Sequence, residues 1–131
     1  VLATACDVII MNCPRLAEPM TADLMRNCDD VLLVIPTTVQ ASSLLTSLKA
    51  TLGELPVRLV ARQIPGSGLT PLSIAQAVEI PLLASLPTDA RIVEQVEQGL
   101  GLASVTLGAF SKSMNQLSTA IERDEQLQFV A

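Results

Sequence analysis

The run DVIIMNCP occupies residues 7–14, and the run DDVLLVIP follows at residues 29–36. Each run opens on an acidic residue, continues through at least four apolar residues and ends on proline. Strands that are apolar on both faces are typical of parallel sheets whose two faces are covered. A nucleotide-binding sheet of this kind carries a carboxylate for its metal at the end of such a strand, where this chain has Asn12. The pattern therefore predicts a parallel nucleotide-binding sheet with an altered site.

Apolar runs of strand length alternate with helical patterns along the chain. The strands are predicted at residues 7–13, 31–35, 57–61 and 81–86. Such alternation favours parallel βαβ units over an antiparallel sandwich. The predicted fold class is therefore α/β, with an open, mainly parallel sheet flanked by helices. Because the chain has 131 residues and half of them are apolar, we expect a single domain over residues 1–131.

Residues that cap an amino terminus indicate where the helices start. Thr21 and either Ser42 or Ser43 are expected to cap the first two helices, Thr70 the third and Asp89 the fourth. A fifth helix is predicted from near residue 104 into the 120s. Apolar residues spaced three and four apart define the faces expected to turn inward. In the second to fourth helices these residues are Leu44, Leu45, Leu48, Leu52, Leu72, Ala75, Val78, Ile92, Val93 and Val96.

The composition argues against several classes of function. Only eight Lys and Arg residues are scattered along the chain, and a net charge of −5 argues against a nucleic-acid surface on this segment. No apolar run approaches the roughly 18 residues of a membrane span. The chain has no His, so it contains no Ser-His or Cys-His nucleophile pair. Its three Cys residues lack C-x-x-C spacing and are expected to be buried, reduced thiols.

The surface of the chain is expected to be partly covered by another segment. Charged residues make up only 16% of the sequence, and the mean hydropathy is +0.50. Both values suggest strands buried on two faces, or apolar surface that a partner covers. The start at Val1, with no Met and no secretory pattern, suggests a fragment of a longer cytosolic protein.

Ligands of open parallel sheets bind beyond the carboxyl ends of the strands. Asn12 is expected there either to hydrogen-bond a ligand or to cap a strand end. Arg62 either binds a phosphate or pairs with a carboxylate such as Asp89, and the pair is the favoured interpretation. Gly66 and Gly68 lack the spacing of a phosphate-binding loop and indicate a turn. The candidate site is therefore assembled from residues 12–15, 36–40, 62–69 and 87–91.

The order of these motifs resembles the carboxyl-terminal half of the MinD/ParA group of deviant-Walker P-loop ATPases. The resemblance covers roughly residues 6–103, and its nearest branches are the CpaE/TadZ-like and actinobacterial septum-site-determining proteins. Residues 7–14 resemble the strand that ends in an acid before the proline-rich switch of this family. Residues 29–34 resemble the next strand of the family, and residues 59–62 resemble the strand that usually ends in Asn-Arg. Residues 80–89 resemble the segment that closes over the base. The EQG at residues 97–99 resembles the family's glycine after a helix.

The departures from the family pattern bear on activity. Asn12 replaces the usual acid, Arg15 stands where the switch has a small residue, and Ala61 replaces the Asn that reads the adenine. The resemblance therefore implies weakened or lost ATP hydrolysis, with no catalytic and no metal-binding residue in this chain. The cofactor-binding positions that it implies are Asn12, Arg62, Pro87 and Asp89.

The resemblance implies a spatial regulator for septum-site determination or for positioning pilus and secretion machinery. ATP and Mg²⁺ are expected only in the intact protein and not in this chain alone. The implied partners are the amino-terminal half of its own protein, cell-division or pilus-assembly proteins, and a second copy in a homodimer. The implied location is cytoplasmic, with recruitment to the septum, the pole or the inner face of the membrane through peripheral contact.

Two other interpretations stay open. One is an active ATPase whose P-loop lies upstream of this chain and whose other carboxylates compensate for Asn12. The other is an interaction domain that shares only the fold with this family.

Overall fold

A computed structural model of the protein describes residues 8–13, 19–53, 55–100 and 108–128. Within them three parallel strands form one sheet in the order β1-β2-β3. This confirms the α/β class and the open parallel sheet. The elements in chain order are α1 (Pro19–Arg26), β1 (Val31–Pro36), α2 (Val39–Leu52), β2 (Val57–Arg62), α3 (Pro71–Val78), β3 (Leu82–Leu86), α4 (Ala90–Glu97) and α5 (Ala109–Gln128).

The hydrophobic core joins one face of the sheet to α2 and α3. Its fully buried members include Leu45 on α2, Leu59 on β2, and Ile74 and Val78 on α3. Burying a side chain of this size stabilises a fold by about 1.5–3 kcal/mol relative to leaving it in water. Because these residues come from three different elements, the core fixes both helices on the same face of the sheet. Helix α5 packs separately against β3.

The predicted first strand is wrong for the residues that the structure describes. Residues 8–13 belong to no strand, and Val8, Ile9, Ile10 and Met11 are exposed by 43%, 49%, 84% and 48%. A strand exists only through the hydrogen bonds of a neighbouring strand. Within the described residues the sheet holds only β1, β2 and β3, so the apolar pattern of residues 8–11 has no pairing partner there. Residue 7 lies outside the described residues.

Two helix starts also differ from the prediction. Thr38, not Ser42 or Ser43, caps α2, because its hydroxyl lies directly after β1 and accepts the Ala41 N–H at 3.3 Å. Thr21 lies inside α1 and is buried rather than capping it. The caps predicted for α3 and α4 are confirmed: Thr70 accepts the Ser73 N–H, and Asp89 accepts the Arg91 N–H.

Three of the predicted inward faces are rotated or uncovered. Leu44 and Leu72 are 59% and 58% exposed, because each helix turns the next positions of its apolar set toward the sheet. Val93 and Val96 on α4 are also exposed, at 58% and 56%. In the part of the chain that the structure describes, nothing covers this side of α4.

Two ion pairs tie neighbouring elements together. Asp30, just before β1, accepts Nε of Arg58 on β2 at 3.1 Å and also pairs with its Nη2 atom. Lys49 on α2 pairs with Glu79, which ends α3 in the left-handed region at φ 55°. The exposed Lys49–Glu79 pair contributes little to stability, since surface pairs are worth about 0.2–1 kcal/mol. The part-buried Asp30–Arg58 pair therefore fixes the amino end of the sheet more firmly.

The described residues bear on two predictions made from the sequence, namely the state of the thiols and the absence of a membrane span. Cys13 and Cys28 are free thiols and only half-buried, and Cys6 lies outside the described residues. Cys13 and Cys28 are thus less buried than predicted. Among the helices that the structure describes, none is both long enough and apolar enough to cross a membrane.

Candidate functional site

The loops that follow the three strands meet at one edge of the sheet. All three strands run in the same direction, so their carboxyl ends lie side by side. In register, Pro36 at the end of β1 pairs with Arg62 of β2, and Arg62 pairs with Leu86 of β3. Three of the four predicted site segments, residues 36–40, 62–69 and 87–91, are therefore brought together.

Thr37 ties the first loop to the second. It is 1% exposed, and its backbone N–H donates to the Arg62 carbonyl at 2.9 Å. Its hydroxyl accepts the Ile64 N–H at 2.9 Å and shares a hydrogen bond of 3.2 Å with the Ser67 hydroxyl. The loop after β2 is thus held by a single buried side chain of the loop after β1. The only sequence signal for this role is a threonine directly after a strand.

Gln63 and Thr88 tie the second loop to the third. The Gln63 N–H donates to the Leu86 carbonyl at 2.8 Å, and its side-chain amide donates to the Ser85 hydroxyl at 2.8 Å. The Thr88 hydroxyl donates to the Gln63 carbonyl at 2.5 Å. Sequence reasoning did not single out these residues. They extend the parallel ladder beyond the strands and fix the shape of the edge.

Asp89 is bound by a neighbouring arginine. Its carboxylate accepts Nε of Arg91 at 2.9 Å and Nη2 at 2.5 Å, in addition to capping α4. Gly108 lies against this pair with φ 111°, and a Cβ there would collide with the Arg91 guanidinium. Asp89, the example of a carboxylate partner for Arg62, therefore pairs with Arg91 instead. Arg91 is two residues away in the chain and closes the pair at a much lower cost in loop entropy.

Arg62 ends β2 with an exposed side chain. It makes no ion pair with any other residue that the structure describes. Pro87 follows β3 and is half-buried, where it ends the strand. Of the predicted site residues, Arg62, Pro87 and Asp89 thus share this edge of the sheet.

Asn12 is placed differently. It is exposed within residues 8–13, and within the described chain no hydrogen bond joins it to the three loops. Arg15 lies outside the described residues. Ala61 is fully buried in β2, directly before Arg62. Gly66 and Gly68 adopt φ of 75° and 71° with open space around them, as a turn requires.

The donor set of the three loops fits an anion better than a metal ion. Residues 36–40, 62–69 and 87–91 contain one acidic residue, Asp89, and Arg91 already binds its carboxylate. Mg²⁺ prefers oxygen ligands that include one or two free carboxylates. Within the described residues no three Cys, Asp or Glu side chains are grouped for a metal ion. The described loops therefore do not fit Mg²⁺ by themselves.

The state of Asp89 gives a testable consequence. Hydrogen bonds from the Arg91 side chain lower the pKa of the Asp89 carboxyl from its usual value, which is about 3.9. The stability that this pair adds is therefore present above that usual value, and it is lost as the pH falls through the lowered pKa. In Arg91→Gln we expect the pKa of Asp89 to rise toward its usual value. An NMR titration of the Asp89 carboxyl measures this.

The matched control for this titration is Glu94→Gln, on the same helix and equally remote from the core. Glu94→Gln should leave the pKa of Asp89 unchanged. An unchanged pKa of Asp89 in Arg91→Gln would show that the pair does not form in solution.

Comparison with known proteins finds one solved structure with a similar fold. A crystal structure of a ParA family ATPase from Chlorobium tepidum TLS superposes on this chain with a TM-score of 0.62 and 15% sequence identity. The match covers 79% of this chain and 45% of that chain, so this chain spans less than half of its relative. No protein-family model matches the sequence, and no curated protein matches it. The chain thus has an α/β fold that resembles part of a ParA family ATPase.

Proposed function

We propose that the protein is a spatial regulator of the MinD/ParA type that acts through partner binding, with weak or lost ATP hydrolysis. Its task is septum-site determination or the positioning of pilus or secretion machinery. The observation that carries the proposal is the ParA-like fold combined with an edge whose single acidic residue is bound by Arg91. A scaffold of this kind retains surfaces for partners after its pocket has lost the groups for hydrolysis.

The chemistry of the edge supports the reduced activity. Arg62 makes no ion pair with a described residue and would meet a phosphate, but the three loops supply no free carboxylate for a metal. Asn12 offers an amide in place of a charge, and an amide holds Mg²⁺ far less firmly than a carboxylate. ATP would therefore serve as a ligand, bound in the intact protein with help from residues beyond this chain, and Arg62 would hold its phosphate.

The alternative is an active ATPase whose P-loop lies outside this chain. The specific observation in its favour is that the match covers only 45% of the ParA family ATPase. The match thus covers less than half of that protein, and the alternative assigns the catalytic groups to the part that is not matched. Magnesium-dependent turnover separates the two candidates.

The positioning role is tested by following a fluorescent fusion of the natural-length protein in its own cells. We expect foci at the septum, the pole or the inner face of the membrane. Because Glu94 is exposed on α4 and the proposal gives it no ligand contact, Glu94→Gln should fold normally and should keep these foci. Deleting the gene should misplace septa or abolish pili, which also decides between the two tasks. Diffuse fluorescence and normal division and piliation after deletion would contradict the proposal.

A further inference from the structure

We infer that the exposed apolar side of α4 is a docking surface for a basic amphipathic helix of a partner protein. The inference rests on the proposed function for the existence of a partner, and it adds the surface and the class of partner. It starts from Val93 and Val96 on α4 and Leu100 just after it, which are exposed by 58%, 56% and 48%. We call these three residues the α4 stripe. No residue of α4 itself is buried.

The backbone that carries the α4 stripe is fixed by hydrogen bonds. Val93 and Val96 are three residues apart and are therefore neighbours on the surface of the helix. Beyond the helix, the Gly99 N–H donates to the Val96 carbonyl at 3.0 Å, and the Leu100 N–H donates to the Gln95 carbonyl at 2.8 Å. A helix end of this kind turns the residue after the glycine back toward the last turn. A partner therefore finds the stripe already ordered.

The charge beside the α4 stripe is negative. Glu97 lies about 40° round the helix from Val93, which places it at the border of the stripe. Within the described part of the chain, Glu97 makes no ion pair. The basic residue of α4, Arg91, is already bonded to Asp89. Because the whole chain also carries a net charge of −5, the stripe presents a complementary surface to a basic partner.

The other acidic residue of α4 lies away from the α4 stripe. Glu94 is about 100° round the helix from Val93 and about 160° from Val96. Its carboxylate accepts the side-chain amide of Gln98 at 3.3 Å. A helix that covers the stripe would therefore contact Glu97 and not Glu94, so the two acidic residues give a matched pair for experiments.

Other occupants fit this surface less well. A second copy of the chain would bring the same negative charge, and three side chains are far fewer than an interface of roughly 1,200–2,000 Å² requires. An anionic membrane surface would repel Glu97. A short helix needs only a few apolar anchors spaced three and four apart, and the α4 stripe spans about two turns. Lys or Arg beside those anchors would meet Glu97.

An NMR titration of the 131-residue chain tests the docking surface. The probes are two synthetic peptides of about 14 residues that carry the same stripe of Leu at helical spacing. One has Lys beside the stripe, and the other has Glu at the same positions. In about 0.15 M salt, where the Debye length is about 8 Å, we expect the Lys peptide to shift the amides of residues 90–100 most. The Glu peptide should bind at least about fivefold more weakly.

Two pairs of variants separate the apolar and the charged contributions. Val96→Ser should weaken binding of the Lys peptide at least about fivefold, because it removes apolar contact area. Leu72→Ser on α3 is its control and should have no effect, although Leu72 is equally exposed at 58%. Glu97→Lys should weaken the Lys peptide at least about fivefold, whereas Glu94→Lys, which changes the net charge equally, should weaken it less than about twofold.

Four results would overturn the inference. They are shifts centred outside residues 90–100, equal binding of the two peptides, equal losses within either pair of variants, and shifts of these amides by dilution or by vesicles that contain phosphatidylserine. Dilution shifts would identify a second copy as the occupant, and vesicle shifts would identify a membrane. Foci of the fusion protein report on the proposed function independently of peptide binding, so the two can fail separately.

Discussion

Replacing Leu45 with alanine is expected to lower the free energy of unfolding by about 2–5 kcal/mol, whereas Leu44→Ala should change it by less than about 0.5 kcal/mol. The two leucines are neighbours on α2, so helix propensity and composition are matched. Leu45 is 2% exposed and packs in the core, while Leu44 is 59% exposed. Only the first substitution removes buried methyl groups and leaves a cavity.

Urea unfolding followed by circular dichroism measures both variants. A domain of this size has a total stability of roughly 5–15 kcal/mol, so Leu45→Ala removes a large fraction of it. Because both variants keep the same alternation of strands and helices, they should unfold with the same denaturant slope as the parent chain. Equal costs for the two substitutions would show that α2 does not pack on the sheet by the face described.

Replacing Thr37 with valine is expected to lower the free energy of unfolding by about 1–3 kcal/mol. Valine has nearly the shape of threonine, so the packing is preserved and only the hydroxyl is lost. The Ile64 N–H then has no acceptor, and the Ser67 hydroxyl keeps only its hydrogen bonds with the Leu69 backbone. A buried N–H donor without an acceptor destabilises the folded state by the full free energy of its desolvation.

The control for Thr37→Val is Ser67→Ala, which removes the 3.2 Å bond between the hydroxyls and the two 3.4 Å bonds of Ser67 with the Leu69 backbone, but leaves the Ile64 N–H bonded to Thr37. Its expected cost is smaller, about 0.5–1.5 kcal/mol. Exchange of the Ile64 amide should accelerate at least about tenfold in Thr37→Val and remain slow in Ser67→Ala. If the Ile64 amide exchanges at the same rate in both variants, Thr37 does not hold the loop after β2.

Features set by local chemistry were predictable from the sequence. Strand β1 follows from an apolar run that proline ends, and the caps Thr70 and Asp89 follow from a hydroxyl or carboxylate within reach of the next N–H groups. The edge of the sheet that gathers three loops follows from the parallel direction of the strands. These steps need no knowledge of which residues touch at long range.

Features that depend on which residues meet in three dimensions were not predictable from the sequence. Residues 8–13 have a strand pattern, but a strand also needs a neighbour, and the sequence of one segment does not report it. Leu44 and Leu45 are equally apolar, and only the rotation of α2 on the sheet decides which is buried. Asp89 had two arginines within reach of its loop, and the closer one in the chain binds it. The role of Thr37 comes from the Arg62 carbonyl at the end of β2 and the Ile64 N–H in the loop after it, and the local sequence around Thr37 does not report either partner.

The central proposal is a ParA-type scaffold with weak or lost ATP hydrolysis, and magnesium-dependent ATP turnover of the protein tests this proposal most directly. We predict turnover near the background of ATP alone for the parent protein, and a rise of about tenfold or more in Asn12→Asp, because a restored carboxylate supplies the charge that a metal shell needs. Asn12→Ala should stay at background. Saturable turnover by the parent protein that Asn12→Asp leaves unchanged would contradict the claim and favour an active ATPase.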